Sequence, residues 1–292
     1  MRKIEITDYD DSWVFSIDRL KIIQGEKKYR LYRSLLHQLM KEEVSEFESE
    51  SKIQLEVKIN GQKYDVKTNK IYQFSMFSNL DEEVKMSAKS LLVDYLDSQL
   101  KDVDYQDEFI MLNQSIEILN QELLDELSIE SNDAKLCFRV PTFTLKSLIK
   151  STVSEIYKNE LHSNDYDFNV DDKFNVYFDI WNRIAEKNPS RNYIVLIVLD
   201  ELIPTVYDKI KSLEINNLQF ILFANRLHCN IDYQDVYMIG RMKIDFCDDE
   251  SIFENLVIEK GFAQDLEDSK KILSDFCIYP RKTTKFSCYL AE

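Results

Sequence analysis

Two neighbouring carboxylates, Asp200 and Glu201, follow directly on seven apolar or aromatic residues, Tyr193 to Leu199, in residues 192–202, NYIVLIVLDEL. A carboxylate at the C-terminal end of a buried strand can hold Mg²⁺ through water, beside a base that activates the attacking water in phosphoryl transfer. That chemistry also needs a phosphate-binding loop, G-x-x-x-x-G-K-[ST], whose glycines let backbone N–H groups close around the phosphates. The chain has four glycines, at 25, 61, 240 and 261, and none supplies the loop. The nearest miss is Gly61 followed by Val66-Lys67-Thr68, with valine in place of the second glycine. Without that loop, Asp200 and Glu201 read first as the polar end of a strand, and after that as a relic of an ATPase or a metal site.

The elements around this pair are legible. A short β-branched run suits a strand buried on both faces of a parallel sheet. Pro204 marks a turn, Val206, Ile210 and Leu213 share a helical face, and residues 218–224, LQFILFA, form a second apolar run. Strand, helix and strand in about thirty residues is the size of a βαβ unit.

The 292 residues suffice for one large or two modest domains, and 44% hydrophobic content argues for a globular protein. The cysteines (137, 229, 247, 277 and 288) form no C-x-x-C pair, which excludes a zinc-ribbon or thioredoxin motif and fits buried thiols in a reducing cytosol. No apolar run reaches about 18 residues, so no membrane span is expected. The first residues, MRKIEITDYDD, do not read as a signal peptide.

A net charge of −16 hides an asymmetry: residues 19–41 carry +6, leaving −22 on the remainder. A basic patch on an acidic body can still bind a polyanion, because the Debye length at physiological salt is about 8 Å. Within that patch LKIIQ leads through Gly25 into a basic helix, where GEKKYRLYRS replaces a phosphate loop. The lysines there are either a phosphate-favouring helix start or a solvated face.

Along the chain, residues 3–6, 13–17 and 20–23 read as strands, and a helix from Tyr29 carries Leu31, Leu35, Leu36, Leu39 and Met40 on one face. Ile53, Leu55, Val57 and Ile59 alternate up to Asn60-Gly61, and Tyr64 and Val66 continue the alternation, a hairpin signal. A two-residue turn pairs Lys58 with Lys63 and Gln54 with Lys67, a second basic surface with Lys52 and Lys70. Residues 71–77 read as a further strand. From Asp81 to about Glu186 the spacing is helical, with stripes at Val84, Ala88, Leu91, Leu92, Tyr95 and Leu96, at Phe109, Leu112, Ile116, Leu119, Leu123 and Leu127, at Leu145, Leu148, Ile149, Val153 and Ile156, and at Phe174, Tyr177, Phe178, Trp181 and Ile184. These stripes serve an internal bundle or contact with another subunit. Residues 236–239, helices near 252–259 and 264–274, and a strand near 286–290 complete the chain. The expected architecture is α/β: a head of residues 1–80 and 190–292 with a parallel-sheet core, and an inserted α-helical arm at 81–189.

This order of elements resembles the accessory adaptation protein family of type II-A CRISPR–Cas systems. The resemblance rests on RNYIVLIVLDELIPTVYDKIKSLEINNLQFILFANR and on LKIIQGEKKYRLYRSLLHQL, where the family has an apolar strand running into a helix without a P-loop. It spans about residues 3–226, and residues 227–292 would make this a long-form member. It implies a degenerate P-loop, ABC-ATPase-like head without nucleotide turnover, in a cytoplasmic homotetramer that rings double-stranded DNA and prefers free ends. It also implies bound Ca²⁺, no nucleotide, and work in spacer acquisition with the CRISPR integrase complex and the RNA-guided nuclease.

A ring sliding on DNA needs phosphate contacts without base readout. The candidate cations are Lys27, Lys28, Arg30 and Arg33 from the degenerate loop and its helix, and Lys58, Lys63 and Lys67 from the hairpin; each also reads as an ordinary surface charge. For calcium, the resemblance points to QELLDELSIESNDAKLCF, where Glu122, Asp125, Glu126, Glu130 and Asp133 are oxygen donors, or a solvated helix end. His228-Cys229 is an improbable dyad, because adjacent side chains on a strand face opposite ways. His37 reads as a helix-surface or core-edge residue and His162 as the charge partner of a helix C-terminus. The expectation is a non-enzymatic DNA-end-binding ring; the alternatives are a divergent P-loop nucleotide hydrolase using Asp200 and Glu201, and a protein-interaction scaffold using the arm.

Overall fold

The structure is a computed structural model that describes residues 1–8, 11–41, 55–87, 89–100, 102–124, 127, 129–131, 134–136, 138–227, 230–240, 243–259 and 261–278. The chain divides into two compact units. The first comprises Met1–Ser78, Val170–Phe178 and Asn188–Glu292, and the second Asn79–Asn169 and Asp179–Lys187.

The first unit opens with strands β1 (Arg2–Asp8), β2 (Asp11–Ile17) and β3 (Leu20–Gln24), helix α1 (Lys28–Lys41), and strands β4 (Leu55–Ile59), β5 (Gln62–Lys63) and β6 (Asn69–Ser75). The second unit carries α2 (Leu80–Val84), α3 (Leu91–Gln99), α4 (Gln106–Leu119), the hairpin β7 (Ile129–Ser131) and β8 (Ala134–Leu136), α5 (Leu145–Ser151), and the hairpin β9 (Tyr157–Lys158) and β10 (Leu161–His162). Helix α6 (Val170–Lys187) gives its first half to the first unit and its second half to the other. The first unit resumes with β11 (Asn192–Leu202), α7 (Pro204–Lys211), β12 (Leu218–Leu227), β13 (Val236–Ile239), β14 (Lys243–Asp245), α8 (Asp249–Phe253) and α9 (Leu266–Ile278).

Six strands form the main sheet in the order β14-β13-β3-β12-β11-β6. All are parallel except β14, which runs antiparallel to β13. A four-stranded antiparallel sheet, β2-β1-β4-β5, completes the unit. Strand β11 is buried on both faces, as its unbroken apolar run requires. Ile194 and Leu196 share a core with Leu31 and Leu35 of α1 and with Ile4, Phe15 and Val57 of the antiparallel sheet. Leu31 and Leu35 of helix α1 are thus buried where the two sheets meet, with Leu36 packed against them. On the other face Phe74 of β6 meets Phe174 edge-on at 5.6 Å, and Phe178 stacks on Phe220 of β12 at 5.6 Å. Every 100 Å² of apolar surface removed from water in this core contributes roughly 2.5 kcal/mol.

In the second unit, Leu80 N–H donates to Asp165 and Asp165 N–H donates to Asp81, joining the two ends of the insertion. Asn113 and Asn120, two turns apart on α4 and just beyond it, each bond a backbone N–H and C=O of the segment from Val140 to Phe143. No residue of α4 is buried, and Ile110, Met111, Leu112 and Ile118 are exposed.

Several local expectations are corrected. The stripe from Val84 to Leu96 breaks in two, because Met86 takes φ +50° and Ser90 caps α3 by accepting from Leu92 N–H. Helix α5 stops at Ser151: Thr152 turns extended and its hydroxyl donates back to Leu148 O, so Val153 and Ile156 are not helical. The hairpin strand ends at Lys63, since Asp65 accepts from the N–H of Lys67 and closes a turn, which takes Lys67 off the ladder. Strand β6 ends at Ser75, leaving Phe77 exposed. His162 lies on a hairpin, edge-on to Tyr157, instead of at a helix end. Gln54, His228, Cys229 and residues 286–290 lie outside the described residues.

Candidate functional site

Parallel sheets collect ligands at the C-terminal ends of their strands. Here that edge is formed by Gln24 at the end of β3 and Gly25 after it, Asn225 and Arg226 on β12, and Asp200 and Glu201 on β11. Parallel register aligns Leu199 with Ala224 and Glu201 with Arg226, so the polar ends of both apolar runs lie side by side. Asn225 donates to Asp200 at 3.2 Å, and Arg226 pairs with Glu201 at 3.1 Å.

The strand-to-helix connection that would cradle phosphate is only Gly25–Glu26–Lys27. Gly25 takes φ +101°, and a Cβ there would lie 2.2 Å from Ile239 O. Lys27 N–H donates to that same carbonyl at 3.3 Å, which pins the loop to β13. The Lys28 ammonium turns inward, buried, and donates to Ala224 O at 2.7 Å. Its burial lowers its pKa below the ordinary lysine value. Tyr29 closes the edge by donating to Asn225 at 2.7 Å. The place of a phosphate loop is thus filled by protein.

The other candidate cations divide into two sets. Arg30 pairs with Asp11 at 3.0 Å, and Lys243 bonds the same carboxylate. These two cations, with Lys27 at longer range, hold the Asp11 carboxyl below its usual range against the opposing effect of burial. Lys58 pairs with Glu56 at 3.0 Å and faces Lys63 across the hairpin. Lys27, Arg33, Lys63 and Lys67 are exposed and make no side-chain hydrogen bond or ion pair among the described residues.

Of the candidate calcium ligands, Glu122 is exposed on the π-turn Asn120–Leu124, and Glu130 lies on strand β7. Asp125, Glu126 and Asp133 lie outside the described residues. Among the described residues no three His, Cys, Asp or Glu side chains are placed to hold a metal ion.

Sequence reasoning missed a cleft of about 460 Å³ at this sheet edge, where Asp171 joins Met76, Asp200, Glu201, Asn225 and Arg226. Asp171 starts helix α6, and burial together with Asp172 pushes its carboxyl up. The available signal was that both apolar runs end in a polar pair, Asp200-Glu201 and Asn225-Arg226.

No family model matches the chain, and no curated protein matches it. Among solved structures it is similar to the crystal structure of Stu0660 of Streptococcus thermophilus, with a TM-score of 0.67 and 14% identity over 99% of this chain and 91% of that one. The likeness is one of fold: the chain shares the mixed α/β architecture of Stu0660 along nearly its whole length.

Proposed function

We propose that this protein is a non-enzymatic, sequence-independent binder of double-stranded DNA that prefers free ends. On this reading it is a long-form member of the type II-A CRISPR accessory adaptation family, with a degenerate P-loop head. The observation that carries the proposal is the closed β3–α1 connection. Gly25 abuts Ile239 and Lys28 is bonded inward, so the strand-loop-helix unit has no phosphate cradle while Lys27 and Arg33 point cations outward. Phosphate contacts from such side chains are independent of base sequence. The acidic remainder of the chain repels DNA elsewhere, which suits DNA confined to the centre of a homotetrameric ring. A second copy of this chain is the partner proposed for the exposed apolar residues of α4. Calcium, the CRISPR integrase complex and the RNA-guided nuclease enter with the family reading alone.

The test is a gel shift with linear and closed-circular duplexes of one sequence, with and without calcium, across a salt series. Retention of linear DNA that falls steeply with salt, with little on circles, is the expected result. No binding to either at low salt would refute it. A divergent nucleotide hydrolase is the second reading, favoured by the cleft beside Asp200 and Glu201. It requires Mg²⁺-dependent ATP turnover that Asp200→Asn abolishes.

A further inference from the structure

The cleft at the ends of β11 and β12 has a chemistry of its own, unlike that of a DNA surface. Its walls are apolar at Met76, Val170, Leu199 and Ile203. Three carboxylates, Asp171, Asp200 and Glu201, face a single guanidinium, Arg226. Apolar walls with a few convergent polar groups and a volume of about 460 Å³ match small-molecule sites, which run to about 300–1,000 Å³. The surplus of negative charge favours a cationic ligand over a bare anion. One oxygen of Asp171, Oδ1, is enclosed and has no hydrogen-bond partner among the described residues. A buried acceptor of that kind calls for a donor.

We infer that this cleft is a binding site for a small aliphatic polyamine, with its methylene stem along the apolar walls and its ammonium groups on Asp171 and Asp200. An extended cation fits better than a compact one. Asp171 comes from the start of α6 and Asp200 from the end of β11, and among the described residues no three carboxylates converge at metal-binding distance. Separated charges along a flexible chain meet separated carboxylates without convergence. Asn225 holds Asp200 from the side of β12, and Arg226 competes for the cleft as its resident cation.

The experiment is calorimetric titration of spermidine into the full chain, free of DNA, with magnesium chloride and sodium chloride arms at matched ionic strength. Saturable one-site binding of spermidine is expected, weakened about tenfold or more in Asp171→Asn and in Asp200→Asn, as the loss of a charge-assisted hydrogen bond implies. Arg226→Ala is expected to bind more tightly, and Glu117→Gln, an exposed acid on α4, to bind as the parent does. Asp200 is exposed, so its variant tests the site even where Asp171→Asn disturbs folding. Unsaturable heats equal to those of ionic-strength-matched sodium chloride would overturn the proposal. So would equal losses in Asp200→Asn and Glu117→Gln, or magnesium binding with the same variant dependence and no spermidine binding. With DNA absent from the cell, failure here is separate from failure of the DNA-binding reading.

Discussion

Lys21 Nζ lies 2.8 Å from Asp245 Oδ1 in the interior of the first unit, with 1% and 8% of the two side chains exposed. The lysine stands on the central strand β3 and also donates to Gln234 O, while Asp245 accepts from the N–H groups of Ser16 and Cys247. The pair therefore joins β3, β14, the end of β2 and the turn before β13. Removing one member leaves a buried charge without its partner, which typically costs about 3–5 kcal/mol. Lys21→Met is expected to lose about 3 kcal/mol in urea unfolding. A loss below about 1 kcal/mol would show the pair to be dispensable.

Gly25 is required on two counts. Its φ of +101° disfavours any side chain, and a Cβ would sit 2.2 Å from the Ile239 carbonyl. Gly25→Ala is expected to cost about 3 kcal/mol from left-handed strain plus overpacking. Thermal unfolding checks it, and an unchanged midpoint would mean that the β3–α1 loop is not held against β13.

The DNA-binding reading makes a prediction residue by residue. Alanine at Lys27, Arg33, Lys63 or Lys67 is expected to flatten the slope of log K against log salt by about 0.9 for each phosphate that is no longer neutralised. Lys28→Met is expected to leave that slope unchanged, because its ammonium is bonded inside the fold and Ala224 O keeps Gln24 as a second donor. If Lys28 alone altered the slope, the inward conformation would be wrong for the bound state.

Cys277 on α9 is fully enclosed, and burial, with Asp232 and Asp235 nearby, pushes its thiol from 9.0 up to about 12. The unfolded thiol ionises above 9.0 while the folded one keeps its proton, so this contribution is intact below pH 9 and is lost as pH rises toward 12. The stability difference between the parent and Cys277→Ala is expected to fall by about 1.4 kcal/mol per pH unit in that window. Urea midpoints of both proteins from pH 8 to 10.5 would read it, and a pH-independent difference would contradict the burial assigned to Cys277.

Elements with a strong local signature were legible from the residues alone. The run Tyr193–Leu199 is apolar on every face and so had to be an inner strand; Asn60-Gly61 between alternating residues forces a tight hairpin, and Lys58 does face Lys63. The stripe of Leu31 and Leu35 marked a helix for the same local reason. Contacts distant in the chain decided the rest. Whether Lys28 faces water or Ala224 depends on a carbonyl 196 positions away, and Lys21 meets Asp245 across 224 positions. The helical stripe from Val84 to Leu96 broke at Met86, where the Ser90 hydroxyl donates to Glu83 O and the Glu83 carboxylate accepts from Leu91 N–H, a preference that hydrophobic spacing does not record. The cleft is the clearest case. Asp171, Asp200 and Arg226 carry no common motif, and only the parallel register of β11 with β12, together with the packing of α6 on that sheet, brings their charges to one edge.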